Sequence, residues 1–240
     1  MNQYAFLVTS AINTKFGIFN SEQRLNQTLA TINSIKSRAP GAKVILVEMG
    51  AIPLTTDQSQ QLSKEVDKVL SFNSDQTVID LFNSTDNWDI VKNVTEVMCF
   101  GQALSTLVNH TDVFEGVQRA FKISGRYTLT DDFDIEYYNQ YNVQHHMVVS
   151  QARSSQFSYE LTGVKQQYMS RLWSWPTALM PEVLDVYSRG LVYMQERIVN
   201  GGYCDIEHML YKFLDHNKVI EKELVGICGN IGPNGAAVKD

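Results

Sequence analysis

The amino-acid sequence predicts an α/β protein with a mostly parallel central sheet flanked by helices. Two observations support this prediction. The first half of the chain alternates short apolar runs with longer segments whose apolar residues recur every three or four positions. The first of these short runs is mostly apolar, as expected for a strand buried on both faces of a parallel sheet. Such alternation is typical of right-handed βαβ units.

The individual elements follow from the same patterns. The first strand is predicted over 4–10, and the helix over 22–38 is bounded by polar residues before it and Pro40 after it. Further strands are predicted over 43–48, 69–72 and 119–124, and further helices over 57–67, 89–108, 182–199 and 205–215. Residues 146–161 have the pattern of strands with one exposed face, which predicts a mixed edge of the sheet in the second half.

Composition restricts the class of protein. The chain has 240 residues, 20 Lys and Arg, 26 Asp and Glu, and a net charge of −6. Its length suits one domain, and its acidic balance argues against a nucleic-acid partner. No apolar run approaches the roughly 18 residues of a transmembrane segment, and the N-terminus lacks the basic start of a signal peptide. With only three widely spaced cysteines, we expect a cytoplasmic protein without a transmembrane segment.

The carboxyl ends of the predicted strands are the candidate binding positions, since ligands of open parallel sheets bind there. Neither a GxGxxG motif nor a GxxxxGK[ST] motif follows the first strand, which argues against dinucleotide oxidoreductases and P-loop NTPases. Glu48 ends the second strand and could accept hydrogen bonds from a ribose or a base. The alternative is an ordinary acidic residue at a solvent-facing strand end.

The segment 121–127 carries the most informative pattern. Strand alternation puts Lys122 and Ser124 on one face, which Arg126 rejoins if the strand continues. Arginine binds phosphate with two parallel hydrogen bonds, lysine acts as a point charge, and Gly125 lets the backbone approach a ligand closely. The segment therefore predicts a diphosphate site, and the alternative is a surface strand with ordinary basic residues.

Characteristic segments are spread over the whole chain. They are Phe-Leu-Val-Thr-Ser at 6–10, Glu22-x-Arg24 with Gln27-Thr28-x-x-Thr31-Ile32-x-Ser34-Ile35, Val-Ile-Leu-Val-Glu at 44–48, Phe-Lys-Ile-Ser-Gly-Arg-Tyr at 121–127, Asp205-Ile206-Glu207-His208, and Val-Gly-Ile-Cys-Gly-Asn-Ile-Gly-Pro-Asn-Gly at 225–235. Through them the sequence resembles a group of small bacterial and phage nucleotide-sugar transferases with the GT-A fold. The Lys-Ile-Ser-Gly-Arg-Tyr element is fairly specific, and the other segments are weak individually.

The resemblance implies transfer of a sugar from a nucleoside-diphosphate sugar to a glycan or another hydroxyl acceptor. It implies one GT-A-like domain over 1–240, with a nucleotide-sugar half over about 1–130 and an acceptor half over about 131–240. We expect the nucleoside to be held by Thr9, Ser10, Arg24 and Glu48. We expect Lys122 and Arg126 to hold the diphosphate, with Ser124, Gly125 and Tyr127 as further donor-binding residues, although core packing is the default interpretation of the tyrosine.

The resemblance also implies a divalent metal, Mn²⁺ or Mg²⁺, held on the diphosphate by an Asp-x-Asp motif after the fourth strand. At that position this sequence has Gly-Arg-Tyr instead. The nearest match is Asp132-x-Asp134, whose side chains would share a face if the segment is extended. The alternative is a helix start with acidic residues in its first turn. His208 is a third candidate ligand or a structural histidine, and Lys122 with Arg126 could neutralise the diphosphate without a metal.

Glu207 is the candidate catalytic residue. It lies in the first turn of the predicted helix over 205–215, where GT-A enzymes often carry the base that deprotonates the acceptor. Such a base has to reach the acceptor hydroxyl by a hydrogen bond. Complementarity with the helix dipole is the alternative reason for an acid here. An enzyme that retains configuration would not need this base.

Other interpretations of the sequence stay open. Trp173 and Trp175 lie on one side of an extended segment, where they could form a sugar platform, a core or a homodimer interface. A protein of the same fold could bind glycans or a partner without catalysis. It could also be another nucleotide-dependent transferase, such as a nucleotidyl- or methyltransferase, since fold alone does not fix function.

Overall fold

The computed structural model describes residues 3–109, 111–232 and 234–240. Its strands are β1 (Tyr4–Ser10), β2 (Lys43–Glu48), β3 (Lys68–Ser71), β4 (Arg119–Ser124), β5 (Tyr127–Leu129), β6 (Met147–Ser150), β7 (Arg153–Ser154), β8 (Gln166–Gln167), β9 (Leu172–Pro176), β10 (Val219–Lys222), β11 (Ile227–Asn230) and β12 (Ala237–Lys239). Its α-helices are α1 (Ser21–Arg38), α2 (Thr56–Ser63), α3 (Gln76–Ser84), α4 (Trp88–Asn109), α5 (Thr111–Phe114), α6 (Tyr159–Thr162), α7 (Met180–Val199) and α8 (Ile206–Phe213).

The central sheet has the strand order β10-β6-β9-β4-β1-β2-β3. The four strands β1 to β4 run parallel, and β9 runs antiparallel to β4 and β6. The predicted α/β fold, with a mostly parallel central sheet and a mixed edge in its second half, is therefore confirmed. The register pairs Thr9 with Ser124 and Ser10 with Glu48, so the carboxyl ends of β1, β2 and β4 meet at one edge.

The two faces of the sheet are covered by different helices, as the apolarity of the strands predicts. Phe6 and Phe121 project toward the side of α1, where their rings stack with centroids 4.4 Å apart. Leu7 projects the opposite way into the cluster that contains Phe100 of α4 and Tyr187 of α7. Each buried aromatic or aliphatic side chain of this kind contributes about 1.5–3 kcal/mol. The sheet is thus buried on both faces, and its polar carboxyl edge stays free for a site.

A small second sheet of β5, β11 and β12 brings the C-terminal residues to that edge. The side chain of Asp240 accepts from Arg153 and Arg171, and its backbone pairs with Ile227. This anchoring places Gly232 beside the Arg126 guanidinium. A Cβ atom at position 232 would lie 2.9 Å from that guanidinium.

Some local expectations differ from the structure. Residues 76–84 form α3, although no helix is predicted there, and residues 159–162 form a helix inside the predicted strand region. Trp173 and Trp175 are almost fully buried in the core, with ring centroids 4.6 Å apart, so neither is a surface platform. Within the described residues, no helix combines the length and apolarity needed to cross a bilayer.

Candidate active site

A cleft opens at the carboxyl ends of β1, β2 and β4 and encloses about 1000 Å³, counting its open mouth. Helices α1, α3 and α4 and the loop around Gly232 form its other walls. It is lined by Thr9, Ser10, Ala11, Thr14, Phe16, Gly17, Arg24, Thr28, Met49, Gly50, Ala51, Val78, Phe82, Trp88, Val91, Lys92, Thr95, Glu96, Ser124, Gly125, Arg126 and Gly232. Apart from Gly232, every one of these residues lies in the first 130 positions.

One wall of the cleft is apolar and aromatic. Phe16 and Phe82 meet edge to face with ring centroids 5.6 Å apart. Trp88 begins α4 and keeps 41% of its surface exposed, although indoles are usually buried. Val78 and Val91 complete this wall from α3 and α4. Exposed rings beside aliphatic side chains in a concave site can hold a flat ring such as a nucleobase.

A second group of lining side chains forms a cationic wall, and its Lys92 lies on α4 next to Val91 of the apolar wall. Arg24 is nearly buried and donates to the backbone carbonyls of Phe16 and Phe19 at 2.8 and 3.0 Å. Burial and the nearby charge of Arg126 lower the pKa of Arg24 to about 10, which leaves it charged at neutral pH. Arg24 therefore shapes the loop before α1 and adds positive charge to the cleft.

Arg126 and Lys92 supply the less constrained charges of this wall. Both side chains are partly buried in the lining of the cleft. Among the described residues, neither side chain has a hydrogen bond or an ion pair, and Arg126 Nε is buried without a partner. Because buried donors are normally satisfied, these groups point to an anionic ligand.

Hydroxyl and backbone groups lie between the two walls. Thr9, Ser10 and Ser124 line the cleft at the ends of β1 and β4. Gly125 N donates to Thr9 O at 2.8 Å, and a Cβ at Gly125 would lie 3.0 Å from Thr28 Oγ1. The glycine therefore permits close packing of β1, β4 and α1 under the cleft. Four predicted donor-site residues, Thr9, Ser10, Ser124 and Gly125, come together here with Arg24 and Arg126.

Glu48 lies behind this surface and has no exposed area. Its carboxylate accepts from the Ser10 hydroxyl, from Ile12 N at 3.0 Å and from Gly50 N at 3.2 Å. Burial raises the pKa of Glu48, although these hydrogen bonds and the charge of Arg24 oppose the rise. Through these hydrogen bonds, Glu48 holds the ends of β1 and β2 together. It does not line the cleft.

Replacing Ser10 by alanine is expected to lower the free energy of unfolding by about 1–3 kcal/mol, because a buried carboxylate loses a donor. The hydroxyl stabilises the charged form of Glu48, so its removal raises the folded-state pKa further. The loss of stability should therefore be greater at mildly alkaline than at mildly acidic pH. Denaturant unfolding measures this loss of stability. Ser84→Ala is the control, since the Ser84 hydroxyl donates to Leu81 O on the exposed surface. Equal stability of both variants would contradict the role of Ser10.

Lys122 is also fully buried and lies outside the lining. Its ammonium forms an ion pair with Glu96 Oε1 at 2.6 Å and donates to Ser124 Oγ and Ser170 O at 2.8 and 2.9 Å. Burial alone would raise the pKa of Glu96, but the charges of Lys122 and Lys92 outweigh burial and hold it below its usual range. Lys122 therefore neutralises Glu96 beneath the cleft and has no surface exposed in the cleft.

Glu207 lies in the first turn of α8, beside the α4 wall of the cleft. Its Oε1 accepts from Ser170 Oγ at 2.6 Å. Burial and the charge of Asp205 raise the pKa of Glu207, while Lys92 opposes this rise. Lys92 and Glu96 line the cleft and their charges act on Glu207, which itself lies outside the lining. A carboxylate with a raised pKa suits proton abstraction near neutral pH.

Among the described residues, the three predicted metal ligands do not come together in one site. Asp132 pairs with Lys239 at 2.8 Å, and Asp134 accepts from Glu136 N at 3.0 Å. His208 is fully buried, with Nδ1 2.5 Å from Asp205 Oδ1 and Nε2 2.8 Å from Ser155 Oγ. The segment around Asp134 thus starts a short 3₁₀-helix, and the histidine is satisfied inside the protein.

The residues present do not fit a divalent metal in the cleft. Mg²⁺ and Mn²⁺ prefer carboxylate oxygens together with substrate phosphates. In the described part of the chain, no cluster of three His, Cys, Asp or Glu side chains could hold a metal. Glu96 supplies the carboxylate of the cleft lining, and it is already paired with Lys122.

Tyr127 lies outside the cleft as well. It begins β5, is 3% exposed and packs in the cluster on the α1 side of the sheet. The structure thus places it where the alternative interpretation, core packing, puts it.

Sequence reasoning missed the contribution of α4. Trp88, Val91, Lys92, Thr95 and Glu96 are spaced by three and one, so they share a helical face and line the cleft together. The apolar residues of the 89–108 segment predict the helix correctly. In the sequence, the polar residues Lys92 and Glu96, four positions apart, indicate a second, functional face of this helix.

Comparisons with known proteins give one fold-level finding. No protein-family model and no curated protein matches the sequence. Among solved structures, the chain is similar to core-mannan synthase A from Aspergillus fumigatus in its Mn/GDP form. The TM-score is 0.49 at 8% sequence identity, covering 98% of this chain and 77% of the synthase. At this identity the likeness concerns the fold alone.

Proposed function

We propose that the protein is a glycosyltransferase that moves a sugar from a nucleoside-diphosphate sugar to a hydroxyl of a glycan or another acceptor. One observation carries the proposal: aromatic and cationic side chains line one cleft at the carboxyl edge of the sheet. This arrangement suits a ligand with a flat base at one end and a diphosphate at the other. The motifs that resemble nucleotide-sugar transferases contribute several of the lining residues.

In this proposal, the base lies against Phe16, Phe82 and Trp88, and the diphosphate lies toward Arg126 and Lys92. The hydroxyls of Thr9, Ser10 and Ser124 line the space between these walls. Residues up to about 130 thus form the donor half. The acceptor approaches from the side of α8, which belongs to the half beyond residue 130.

The reaction exchanges one bond at the anomeric carbon. The acceptor oxygen forms a bond to this carbon, and the bond to the diphosphate oxygen breaks. The diphosphate leaves with the electron pair, and nearby cations stabilise its developing charge. In an inverting enzyme, Glu207 takes the proton of the acceptor hydroxyl.

A panel of nucleotide sugars tests the proposal. UDP-, GDP-, CMP- and dTDP-sugars are added separately, and the melting temperature is measured with and without Mn²⁺. We expect one diphosphosugar class to raise the melting temperature, by an amount that grows with the logarithm of its concentration above the dissociation constant. Release of the nucleoside diphosphate from that donor then reports turnover. Stabilisation without release would favour a non-catalytic binding protein, and no stabilisation by any donor would contradict the proposal.

Replacing Trp88 by alanine is expected to weaken nucleotide affinity about 5- to 150-fold, since stacking on an aromatic ring contributes about 1–3 kcal/mol per base. Trp88 is the first residue of α4, where alanine is well tolerated, so the fold should persist. Isothermal titration with the stabilising nucleoside diphosphate measures the change. Tyr141→Ala is the control, because Tyr141 is 85% exposed and lies outside the cleft. Unchanged affinity of Trp88→Ala would place the base elsewhere.

A further inference from the structure

The cleft contains more positive charge than its own acids balance. Arg24, Arg126 and Lys92 all line it, whereas Glu96 is the carboxylate found in the described lining and already has Lys122 as its partner. Burial lowers the pKa of Arg24, and the positive charge of Arg126 nearby lowers it further, so the two guanidinium groups repel each other. Such a cluster costs free energy in the empty protein, so an anion with more than one charge is the expected occupant.

The geometry of the β4 end explains why this cluster exists. The strand ends at Ser124, and a tight turn follows in which Gly125 N bonds to Thr9 O and Arg126 N bonds to Ser124 O. This turn directs the Arg126 side chain into the cleft beside Gly232, at a place where any larger residue at 232 would press on the guanidinium. Arg126 thus stands where the resembling enzymes carry a metal-binding acid.

The acids that could replace such a motif are used elsewhere. Asp131 pairs with Arg38, Asp132 pairs with Lys239, and Asp134 caps the turn into the 3₁₀-helix. Arg126 and Lys92 would therefore repel a divalent cation in the cleft. The carboxylate of the described lining, Glu96, is already neutralised by Lys122.

We propose that Arg126 and Lys92, supported by Arg24, neutralise the diphosphate of the ligand in place of a divalent metal. This inference deepens the proposed function and rests on it for the identity of the nucleotide. Arg126 supplies a fork of N–H donors that includes the buried, unpartnered Nε, and Lys92 supplies a mobile point charge. The Nε and both terminal nitrogens of Arg24 donate to backbone carbonyls. Arg24 therefore supports the ligand through its positive charge, without donating a hydrogen bond to it.

Isothermal titration with inorganic pyrophosphate, UDP, GDP and dTDP, each in EDTA and in MnCl₂, tests the inference. We expect pyrophosphate and one of the nucleotides to bind in EDTA, with a dissociation constant within about threefold of the value in MnCl₂. A tenfold or greater gain in affinity on adding Mn²⁺, or no binding of pyrophosphate in EDTA, would overturn the inference. Pyrophosphate binding in EDTA without binding of any nucleotide would support the cation cluster and contradict the proposed function.

Variants assign the effect to these residues. Arg126→Ala should weaken binding in EDTA at least about thirtyfold, Lys92→Ala about tenfold, and Arg126→Lys should restore part of the loss, since a lysine keeps the charge without the fork. The control is Arg189→Ala, whose guanidinium pairs with Asp185 on the exposed side of α7. Because Arg126 has no partner among the described side chains and repels Arg24, its removal should leave the melting temperature unchanged or raise it. Affinity of Arg126→Ala equal to that of the unmodified protein would overturn the inference.

Discussion

Replacing Lys122 by methionine is expected to destabilise the protein by about 3–5 kcal/mol, because the variant leaves the Glu96 carboxylate buried without its partner. In a chain of this size, each kcal/mol lowers the melting temperature by about 2–4 °C, which gives a decrease of roughly 6–20 °C near neutral pH. Ser124 Oγ and Ser170 O lose a donor in the same variant. Thermal and denaturant unfolding measure both quantities.

The effect of Lys122→Met should depend on pH. The folded-state pKa of Glu96 is held below its ordinary value in the unmodified protein. The pair therefore stabilises the fold above the unfolded-state pKa of about 4.3, and this contribution is lost as the pH falls through the lowered folded-state value. In the variant, burial instead favours the protonated carboxyl. The difference in stability between the two proteins should thus be largest near neutral pH and should narrow in acid.

Two further variants separate the ion pair from general damage to the core. Combining Lys122→Met with Glu96→Leu should recover most of the stability, since apolar replacements of a buried pair are often neutral or stabilising. Lys36→Met breaks the exposed pair with Glu65 and should cost less than about 1 kcal/mol. A single Lys122→Met variant as stable as Lys36→Met would show that Glu96 does not depend on this partner.

Lys122 illustrates how much of the site the sequence determines. Strand alternation predicts correctly that Lys122 faces away from Phe121, which the α1 side of the sheet buries. Alternation cannot predict which helix covers the opposite face. The partner Glu96 lies on α4, about one helical turn after Lys92, and the approach of this helix to the sheet is a property of the folded chain.

Arg126 is a second example. The sequence predicts that it lies near the end of β4, but its side chain reaches the cleft by a different geometry from the one predicted. The sequence suggests that Arg126 rejoins the face of Lys122 if the strand continues. The strand ends two residues earlier, and the turn at Gly125 brings Arg126 into the cleft. The carboxyl-end rule for parallel sheets predicts the edge at which the cleft lies, whereas the direction of the Arg126 side chain depends on the backbone of the turn.

The acidic segment shows the limit of motif matching. Asp132 and Asp134 have the spacing of a metal motif, but Lys239 comes from the far end of the sequence to pair with Asp132. The second sheet creates this contact by placing β12 next to β11. The spacing of residues in the sequence indicates which side chains share a face of an extended segment. It does not indicate which cations, such as Lys239, a distant strand places beside them.

Glu207→Gln is expected to lower kcat about 10²- to 10⁴-fold, because proton abstraction by a placed base contributes that factor. The dissociation constant of the nucleoside diphosphate should change by less than about threefold, since Glu207 does not line the donor cleft. Turnover is followed as release of the nucleoside diphosphate from the stabilising donor, with water as the acceptor. The unmodified enzyme should lose activity as the pH falls through the raised pKa of Glu207, and the variant should lack this acidic limb.

Stability distinguishes a catalytic Glu207 from a structural one. Burial and Asp205 disfavour its charged form, so the neutral glutamine should leave the melting temperature unchanged or raise it. Ser170 Oγ can donate to the amide oxygen as it does to the carboxylate. Glu182→Gln removes an exposed carboxylate that pairs with Lys218 and serves as the control with full activity. Full activity of Glu207→Gln, with its acidic limb intact, would exclude Glu207 as the base and favour a mechanism that retains configuration.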